Sequence, residues 1–574
     1  MLSPVAFFAV VVAVAPDLVV HVVNRNEQHI GPLRAEAHRS EQKGEENQCG
    51  FIQRGHGKGH TVAFEQRRTR QRAPLSYSLT LTRLGLLQDD FRYTCDLKPQ
   101  VVPNMKLIAR IILASYLLAF SVHAAKRPNV VLILADDLGW AGLSCYGNDL
   151  HQTPHLDGLA KQGVRFTDAY AASPVCTPTR VAILTGKHPA RLHMTIWRES
   201  ALNRGKRKLL QPVCLDSLPR KHLTLAEILK EAGYFNAHLG KWHVGRAESY
   251  PQAHGFHLNV GGTLWGAPQT FWYPFAGDSY FRDWRYVPGL EPGREGEYLT
   301  DRLTDKALEV MEQQSKAKRP FYLNLWYHTV HTPIEGKPEL VERYRKRVKP
   351  DSIRKNPHYA AMVHSLDENV GRVLDKLDQL EIADDTLVVF TSDNGGFVNS
   401  CKLNKGLRVA DNSPLRSGKG SCYEGGVRVP LIVRGPGVVE GKTSVEPVYA
   451  CDLYPTLLRA AGLSGKAKEG VDGVDFTPIL RDPKAKLSRQ ALYFHYPHYY
   501  HTTTPVSAVR KGDWKLLEYF EDGRVELFNL KNDIGEKTDL ASARPEVAKR
   551  LAAELRAWRK EIGALMPEPN PDRK

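Results

Sequence analysis

The stretch Asn129-Val-Val-Leu-Ile-Leu-Ala-Asp136-Asp137 runs through six apolar residues without interruption and stops at two acids. A strand with one face in water would alternate apolar and polar residues. An unbroken run implies a strand buried on both faces, at the centre of a parallel sheet. In such sheets ligands gather beyond the carboxyl ends of the strands, which is where Asp136 and Asp137 fall.

The chain that follows alternates between helical and strand patterns. Residues 223–233 carry a helical pattern ahead of a strand over 235–239. Leu303, Ala307, Val310 and Met311 form a helical stripe ahead of the strand Phe321–Trp326. Tyr359, Met362, Val363, Leu366, Val370, Val373, Leu377 and Leu380 mark a longer amphipathic helix, followed by the run Thr386-Leu-Val-Val-Phe-Thr-Ser-Asp393-Asn394. Residues 260–297 are rich in Gly, Pro, Trp and Tyr and lack either period, as a long pocket-forming loop would. Beyond Gly470 the pattern changes to short strands over 491–496, 507–519 and 524–530. A last helix carries Val547, Leu551, Leu555, Trp558 and Ile562 on one face. The order predicts an α/β fold, a large and mainly parallel sheet flanked by helices over 125–484, with a smaller C-terminal α+β domain over 485–574.

With 574 residues, 42% apolar and 25% charged, the composition is that of a globular protein. The net charge is +16, but the basic residues are spread along the chain rather than gathered into runs or aromatic-interleaved motifs. That favours a small or polymeric anionic substrate over nucleic acid. Residues 1–104 hold an apolar run without a basic lead, then a polar stretch with no period. Met105-Lys106-Leu-Ile-Ala-Arg110 is followed by a 12-residue apolar segment and His123-Ala124-Ala125, the layout of a secretory leader. We therefore expect translation from Met105, a leader over 105–124, and a secreted or periplasmic product. Twelve apolar residues are too few to span a bilayer, so no integral span is expected. Residues 1–124 carry 15 basic and 10 acidic groups, so the remainder keeps a charge of +11. Cys49 and Cys95 lie in the doubtful extension. Cys145, Cys176, Cys214, Cys401, Cys422 and Cys451 remain, without a C-x-x-C pair, so neither a zinc ribbon nor a disulfide framework is expected.

Two motifs carry chemistry. Asp136-Asp137 and Asp393-Asn394 each close an apolar strand and together offer four side-chain oxygens, a donor set for a hard divalent cation. Cys176-Thr-Pro178-Thr-Arg180 opens a short helix ended by Gly186, which sets Cys176 where unpaired amides favour an oxyanion.

The pattern C-x-P-x-R resembles the signature of the type I sulfatases, arylsulfatase-like members of the alkaline phosphatase superfamily, in which the cysteine is converted to formylglycine by a maturation enzyme. Three further segments resemble that family in its usual order: Gly240-Lys241-Trp242-His243, Tyr327-His328-Thr-Val-His331-Thr-Pro333, and Gly418-Lys419-Gly420-Ser-Cys-Tyr423-Glu424-Gly-Gly-Val-Arg428. The resemblance implies a formylglycine hydrate at Cys176 on a cation held by Asp136, Asp137, Asp393 and Asn394. Calcium is preferred and magnesium is the alternative. It places Lys241 and Lys419 on the sulfate, His243 beside the nucleophile, His331 facing the leaving group, and Arg180 beside the formylglycine and the carboxylates. Glu424 and Arg428 are expected to pair with each other or anchor the loop, and His328 to be structural. A sulfated carbohydrate or aryl sulfate is the expected substrate, with His498 in the aromatic run 493–501 as a sugar contact. The alternatives are a phosphonate or phosphate ester hydrolase of the same superfamily and a non-catalytic binder of sulfated glycans.

Overall fold

The computed structural model describes residues 127–573 apart from 198–199, 201–206, 401–405 and 467–469, together with three short strands, Gln48–Gly50, Ala63–Glu65 and Ser78–Leu79. The expected start at Met105 and the leader over 105–124 lie outside the described residues. Residues 125–574 form one compact unit.

A nine-stranded sheet organises this unit. Its strands are β1 (Asn129–Ala135), β2 (Val164–Tyr170), β3 (Phe235–Gly240), β4 (Leu258–Val260), β5 (Phe321–Trp326), β6 (Thr386–Ser392), β7 (Arg428–Arg434), β8 (Lys442–Ser444) and β9 (Val448–Tyr449). The spatial order is β8-β2-β7-β6-β1-β5-β3-β4, with β9 also paired to β2. Strand β1 runs parallel to both its neighbours, β5 and β6. The sheet is mainly parallel as expected, with β7 antiparallel to β6 and β2. Every residue of β1 is buried. Its alternate side chains feed two cores: Val130, Leu132 and Leu134 enter one, Val131, Ile133 and Ala135 the other. This is why the strand carries no polar alternation.

Helices cover both faces. One core takes Val181, Ala182 and Leu184 of α1 (Cys176–Thr185) and Leu225, Ile228 and Leu229 of α2 (Leu225–Glu231). Thr224 and Glu227 cap the start of α2 reciprocally. The other core takes the stripe Leu303, Ala307, Val310 and Met311 of α3 (Leu299–Lys316) and the buried face of α4 (Pro357–Gln379). Helix α4 starts where its sequence says it should, with Pro357 in the first turn and Asn356 accepting from the amides of His358 and Tyr359.

The C-terminal layer is an antiparallel sheet of β10 (Leu492–Tyr496), β11 (Val506–Lys511), β12 (Trp514–Tyr519) and β13 (Val525–Asn529), backed by α5 (Pro545–Glu561). The single strand expected over 507–519 is a hairpin. Lys511 pairs with Trp514 across Gly512-Asp513, and Gly512 takes the left-handed conformation, at φ 58°, that such a tight turn requires. One face of the sheet packs Val509, Leu516 and Leu527 against α5. The other sends Phe494, Ala508, Leu517 and Phe528 into the first core of the main sheet. The smaller C-terminal α+β part expected from about 485 thus packs its sheet into the first core of the main sheet. A buried cluster ties the layers as well. Lys515 bridges Glu424 at 2.7 Å and Glu536 at 3.0 Å, while Arg428 meets Glu424 at 3.1 Å, the pair expected from sequence. The five described cysteines are free. Among the described residues no helix is long and apolar enough to cross a membrane.

Candidate active site

The parallel pairing of β1 with β6 sets Ala135 opposite Ser392, so the next residues of each strand emerge side by side. Asp136, Asp137, Asp393 and Asn394 are all buried there. The Asp137 amide donates to Asp393 Oδ1 at 3.2 Å, and Asn394 Nδ2 donates to Asp137 Oδ1 at 2.8 Å. Lys241 leaves the end of β3, and His331 lies in the loop after β5. The expected constellation thus assembles beyond the carboxyl ends of the central strands, from segments far apart in the chain.

Local sequence explains how two of these segments reach it. Cys176 is the first residue of α1 and Val175, extended, is its cap. Pro178 sits in the first turn, where a missing amide costs no intrahelical bond. Arg180 lies one turn on from Cys176, on the same face. Its Nε and Nη2 donate to Asp393 Oδ2 at 2.9 and 2.8 Å, and its Nη1 donates to the Lys241 carbonyl at 2.7 Å. The guanidinium is therefore spent on holding Asp393 and the Lys241 backbone. In the second segment Gly240, at φ 100°, passes so close to β5 that a Cβ there would lie 2.0 Å from the Trp326 carbonyl oxygen, which only glycine permits. Trp242 then buries itself against Trp326, with ring centroids 6.0 Å apart. His243, at φ 57°, turns its Nδ1 to within 3.4 Å of Cys176 Sγ.

The charges divide into interlocked pairs. Lys241 Nζ donates to Asp136 Oδ2 at 2.7 Å. Lys419 Nζ donates to Asp137 Oδ2 at 2.8 Å and lies 3.0 Å from His331 Nε2. Burial pushes the Asp136 carboxyl up to about 8, against the pull of Lys241 and with the push of Asp393 and Asp137. Burial also works against the Asp137 carboxylate, but Lys419, with Lys241 beyond it, outweighs it and holds Asp137 below the ordinary range. Lys419 mirrors this: Asp137 overcomes desolvation and keeps the ammonium charged. Burial, reinforced by nearby Lys241 and Arg180, drives His243 well below the usual imidazole value, and burial with Lys419 does the same for His331. Both rings are neutral acceptors at pH 7. Burial raises the Cys176 thiol, which leaves it protonated and a poor nucleophile.

The donor set fits a hard cation. Asp136 Oδ1 and Asn394 Oδ1 are buried oxygens with no hydrogen-bond partner among the described residues. Even with Lys241, Lys419 and Arg180 beside the three carboxyl groups, burial and their mutual repulsion hold the Asp136 carboxyl up, a strain that a divalent ion among them would relieve. Ligand atoms of Asp136, Asp137 and His331 lie within 4.8 Å of one another. The His331 nitrogen in that group faces the Lys419 ammonium, so the oxygens of Asp136, Asp137, Asp393 and Asn394 make the better ligand set.

Asp137, Cys176, His243, His331 and Lys419 line one cavity of about 250 Å³. Lys241 is fully buried and is not among the residues that line it, and His328 is a buried ring whose Nδ1 has no partner among the described residues. The walls are residues that the sequence gave no means to single out: Trp197, Trp265, Phe281, Arg285, Tyr500 and His501. Five of the six come from the aromatic-rich loop and the 493–501 run, so composition pointed to the segments but not to the side chains. The sugar contact assigned to His498 is corrected. That ring is fully buried, with Nε2 2.7 Å from Thr195 Oγ1 and Nδ1 3.2 Å from Gln211 Oε1. Past the end of β10 the chain turns His498 back into the core, and Tyr500 and His501 come out into the cleft.

Gly266 forms the wall behind His243, and a Cβ there would lie 2.4 Å from the ring's Cε1. Gly266→Ala is expected to cost about 1–3 kcal/mol in stability from overpacking. Through a displaced His243 it is also expected to lower kcat by about a hundredfold. Paired thermal melts and steady-state kinetics check this.

The sulfatase family model matches residues 128–463, and the C-terminal model of N-sulphoglucosamine sulphohydrolase matches 418–561. The chain belongs to the sulfatase family. As a member it is a sulfuric ester hydrolase. It is 32% identical to a sulfatase of Formosa agariphila over 79% of this chain and 94% of that protein. It is also 32% identical to human arylsulfatase A, over 76% and 88% of the two chains. The crystal structure of Ps i-CgsB in complex with k-i-k-neocarrahexaose superposes with a TM-score of 0.62 at 30% identity, covering 75% of this sulfatase and 92% of that chain.

Proposed function

We propose that the protein hydrolyses sulfate esters of a sulfated carbohydrate in a secreted or periplasmic setting, through formylglycine made from Cys176 by a maturation enzyme. We further propose that it binds calcium, or magnesium in its place, through Asp136, Asp137, Asp393 and Asn394. The observation that carries this reading is the position of Cys176. A thiol held protonated, and so unfit to attack, sits at a helix start between His243 and the carboxylate cluster, at the base of a cleft with aromatic walls. Similarity to a protein solved with a neocarrahexaose supports the carbohydrate as substrate.

Formylglycine at position 176 would, when hydrated, offer one hydroxyl for attack on sulfur and a second for release of sulfate, and a cation held by Asp136, Asp137, Asp393 and Asn394 would neutralise the sulfuryl oxygens. The protein's own groups do the rest. Arg180 fixes Asp393, which takes the proton of the attacking hydroxyl. Lys241 and Lys419 absorb charge on the transferred group. His331 and Lys419 form the acid pair: Lys419 holds a proton 3.0 Å from His331 Nε2, and the pair delivers it to the departing alcohol. His243, kept neutral, accepts the proton of the second hydroxyl.

The matured protein is expected to release sulfate from 4-nitrophenyl sulfate and from sulfated saccharides at least tenfold faster than phosphate from 4-nitrophenyl phosphate, measured as kcat/KM side by side. Preference for the phosphate or phosphonate ester would favour the hydrolase alternative. Tight saccharide binding without release of either anion would make the protein a binder.

A further inference from the structure

We infer that Arg285 reads a second anionic substituent, a sulfate or a carboxylate, on the saccharide whose sulfate ester is cleaved; this deepens the function proposed above and rests on it. Arg285 lies on a two-stranded ribbon, Ala276–Gly277 against Arg285–Tyr286, where it pairs with Gly277. It is the one arginine among the described residues that line the cleft. Its guanidinium carbon is 3.7 Å from the Phe281 ring centre and 5.0 Å from that of Trp265. Two aromatic rings thus pack against the guanidinium, and its N–H edge is what remains to bind a ligand.

One part of that edge is used: Nε donates to Asp283 Oδ1 at 3.1 Å. Nη1 and Nη2 have no acceptor among the described residues, although the side chain is only 17% exposed. An arginine that merely decorated a surface would keep its head in water and its stem on the protein. Here the more exposed partner is Asp283, at 39%. The ribbon is also pre-set. Gln269, buried, donates to the Asp283 carbonyl at 2.5 Å and accepts from the amides of Tyr280 and Phe281 at 2.9 and 3.1 Å. A fork of donors that is fixed, partly dried and open along one edge matches the two oxygens of a carboxylate or sulfate.

The charge it meets is not that of the scissile ester. That group belongs with Lys241, Lys419 and the carboxylate cluster, whose cations are engaged with Asp136 and Asp137. Arg285 belongs to the wall built by the loop over 260–297, beside Trp265 and Phe281. The substrate class that satisfies both ends of the cleft is a saccharide with two anionic groups: the sulfate ester to be hydrolysed and a further sulfate or uronic carboxylate on the same sugar or the next.

The test compares wild type, Arg285→Gln and Arg285→Lys, each confirmed as folded by thermal melt, on three probes: galactose bearing one sulfate, galactose bearing two, and a singly sulfated disaccharide containing a uronic acid. Loss of a charged, forked hydrogen bond predicts that Arg285→Gln lowers kcat/KM on at least one doubly anionic probe about tenfold more than on the singly charged one, mainly through KM. Lysine should restore only part of the difference, because it lacks the fork. The probe that shows the loss identifies sulfate or carboxylate as the group read. Equal losses on all three probes, or a wild type that turns over only the singly charged sugar, overturn the inference and leave the sulfatase reading standing. Failure of the wild type to release sulfate from any ester overturns both.

Discussion

Cys176→Ala is expected to abolish sulfate release, with a fall in kcat on the order of a million-fold, the scale seen when a covalent nucleophile is deleted. The side chain is small and buried, and its Sγ makes one hydrogen-bond contact, to His243. Its loss should leave the circular dichroism spectrum and the melting temperature close to wild type. Serine should behave as alanine does unless the maturation system accepts it. Lys419 and the acid cluster keep their own contacts in either variant, so binding of a sulfated saccharide should survive while turnover does not. Residual sulfate release by purified Cys176→Ala above a few parts in a million would mean that another group carries the attack.

Asp393→Ala is expected to damage both stability and activity. Asp393 accepts two hydrogen bonds from Arg180, and neither side chain is exposed to solvent. Removing one partner of a buried ion pair leaves the other charge without compensation and costs about 3–5 kcal/mol. That is a large share of the roughly 5–15 kcal/mol that holds a folded protein together. Arg180 has one weaker alternative, Asp136 at 3.8 Å, so the loss should fall inside that range rather than beyond it. The double variant Arg180→Met/Asp393→Leu separates the two effects. With both charges gone the stability penalty should largely disappear, while activity stays at background if Asp393 has the proposed roles of proton acceptor and cation ligand. Denaturant titration beside sulfate-release assays reads both. Recovery of activity in the double variant would show that Asp393 serves the fold alone.

How much of this was legible depended on whether chemistry or context set each residue. Strand β1 could be read because burial on both faces removes all polar alternation, and α4 because a long apolar stripe begins at Asn-Pro. The acid pairs after β1 and β6 could be placed because parallel pairing of two such strands leaves their ends adjacent. The turn at Gly512-Asp513 was missed because the residues flanking it continue the strand pattern on both sides. His498 was misplaced because its direction is set by Thr195 and Gln211, roughly 300 residues away in the chain. Arg285 gave no signal at all, since a lone arginine in an aperiodic loop becomes informative only once two rings are seen to pack against it. The division of labour between Arg180 and Asp393 was likewise invisible. The sequence suggested an arginine near the nucleophile, and the structure shows one whose donors are committed to the carboxylate and to the Lys241 backbone.

The central claim is that Cys176 acts as an aldehyde hydrate rather than as a thiol. Mass spectrometry of the tryptic peptide Phe166–Arg180, from protein made in cells that carry a maturation enzyme, tests it most directly. The account predicts a peptide whose mass is that of formylglycine in place of cysteine and which forms a hydrazone with a carbonyl reagent, in proportion to specific activity. Fully active protein in which that peptide carries only an intact thiol would contradict it.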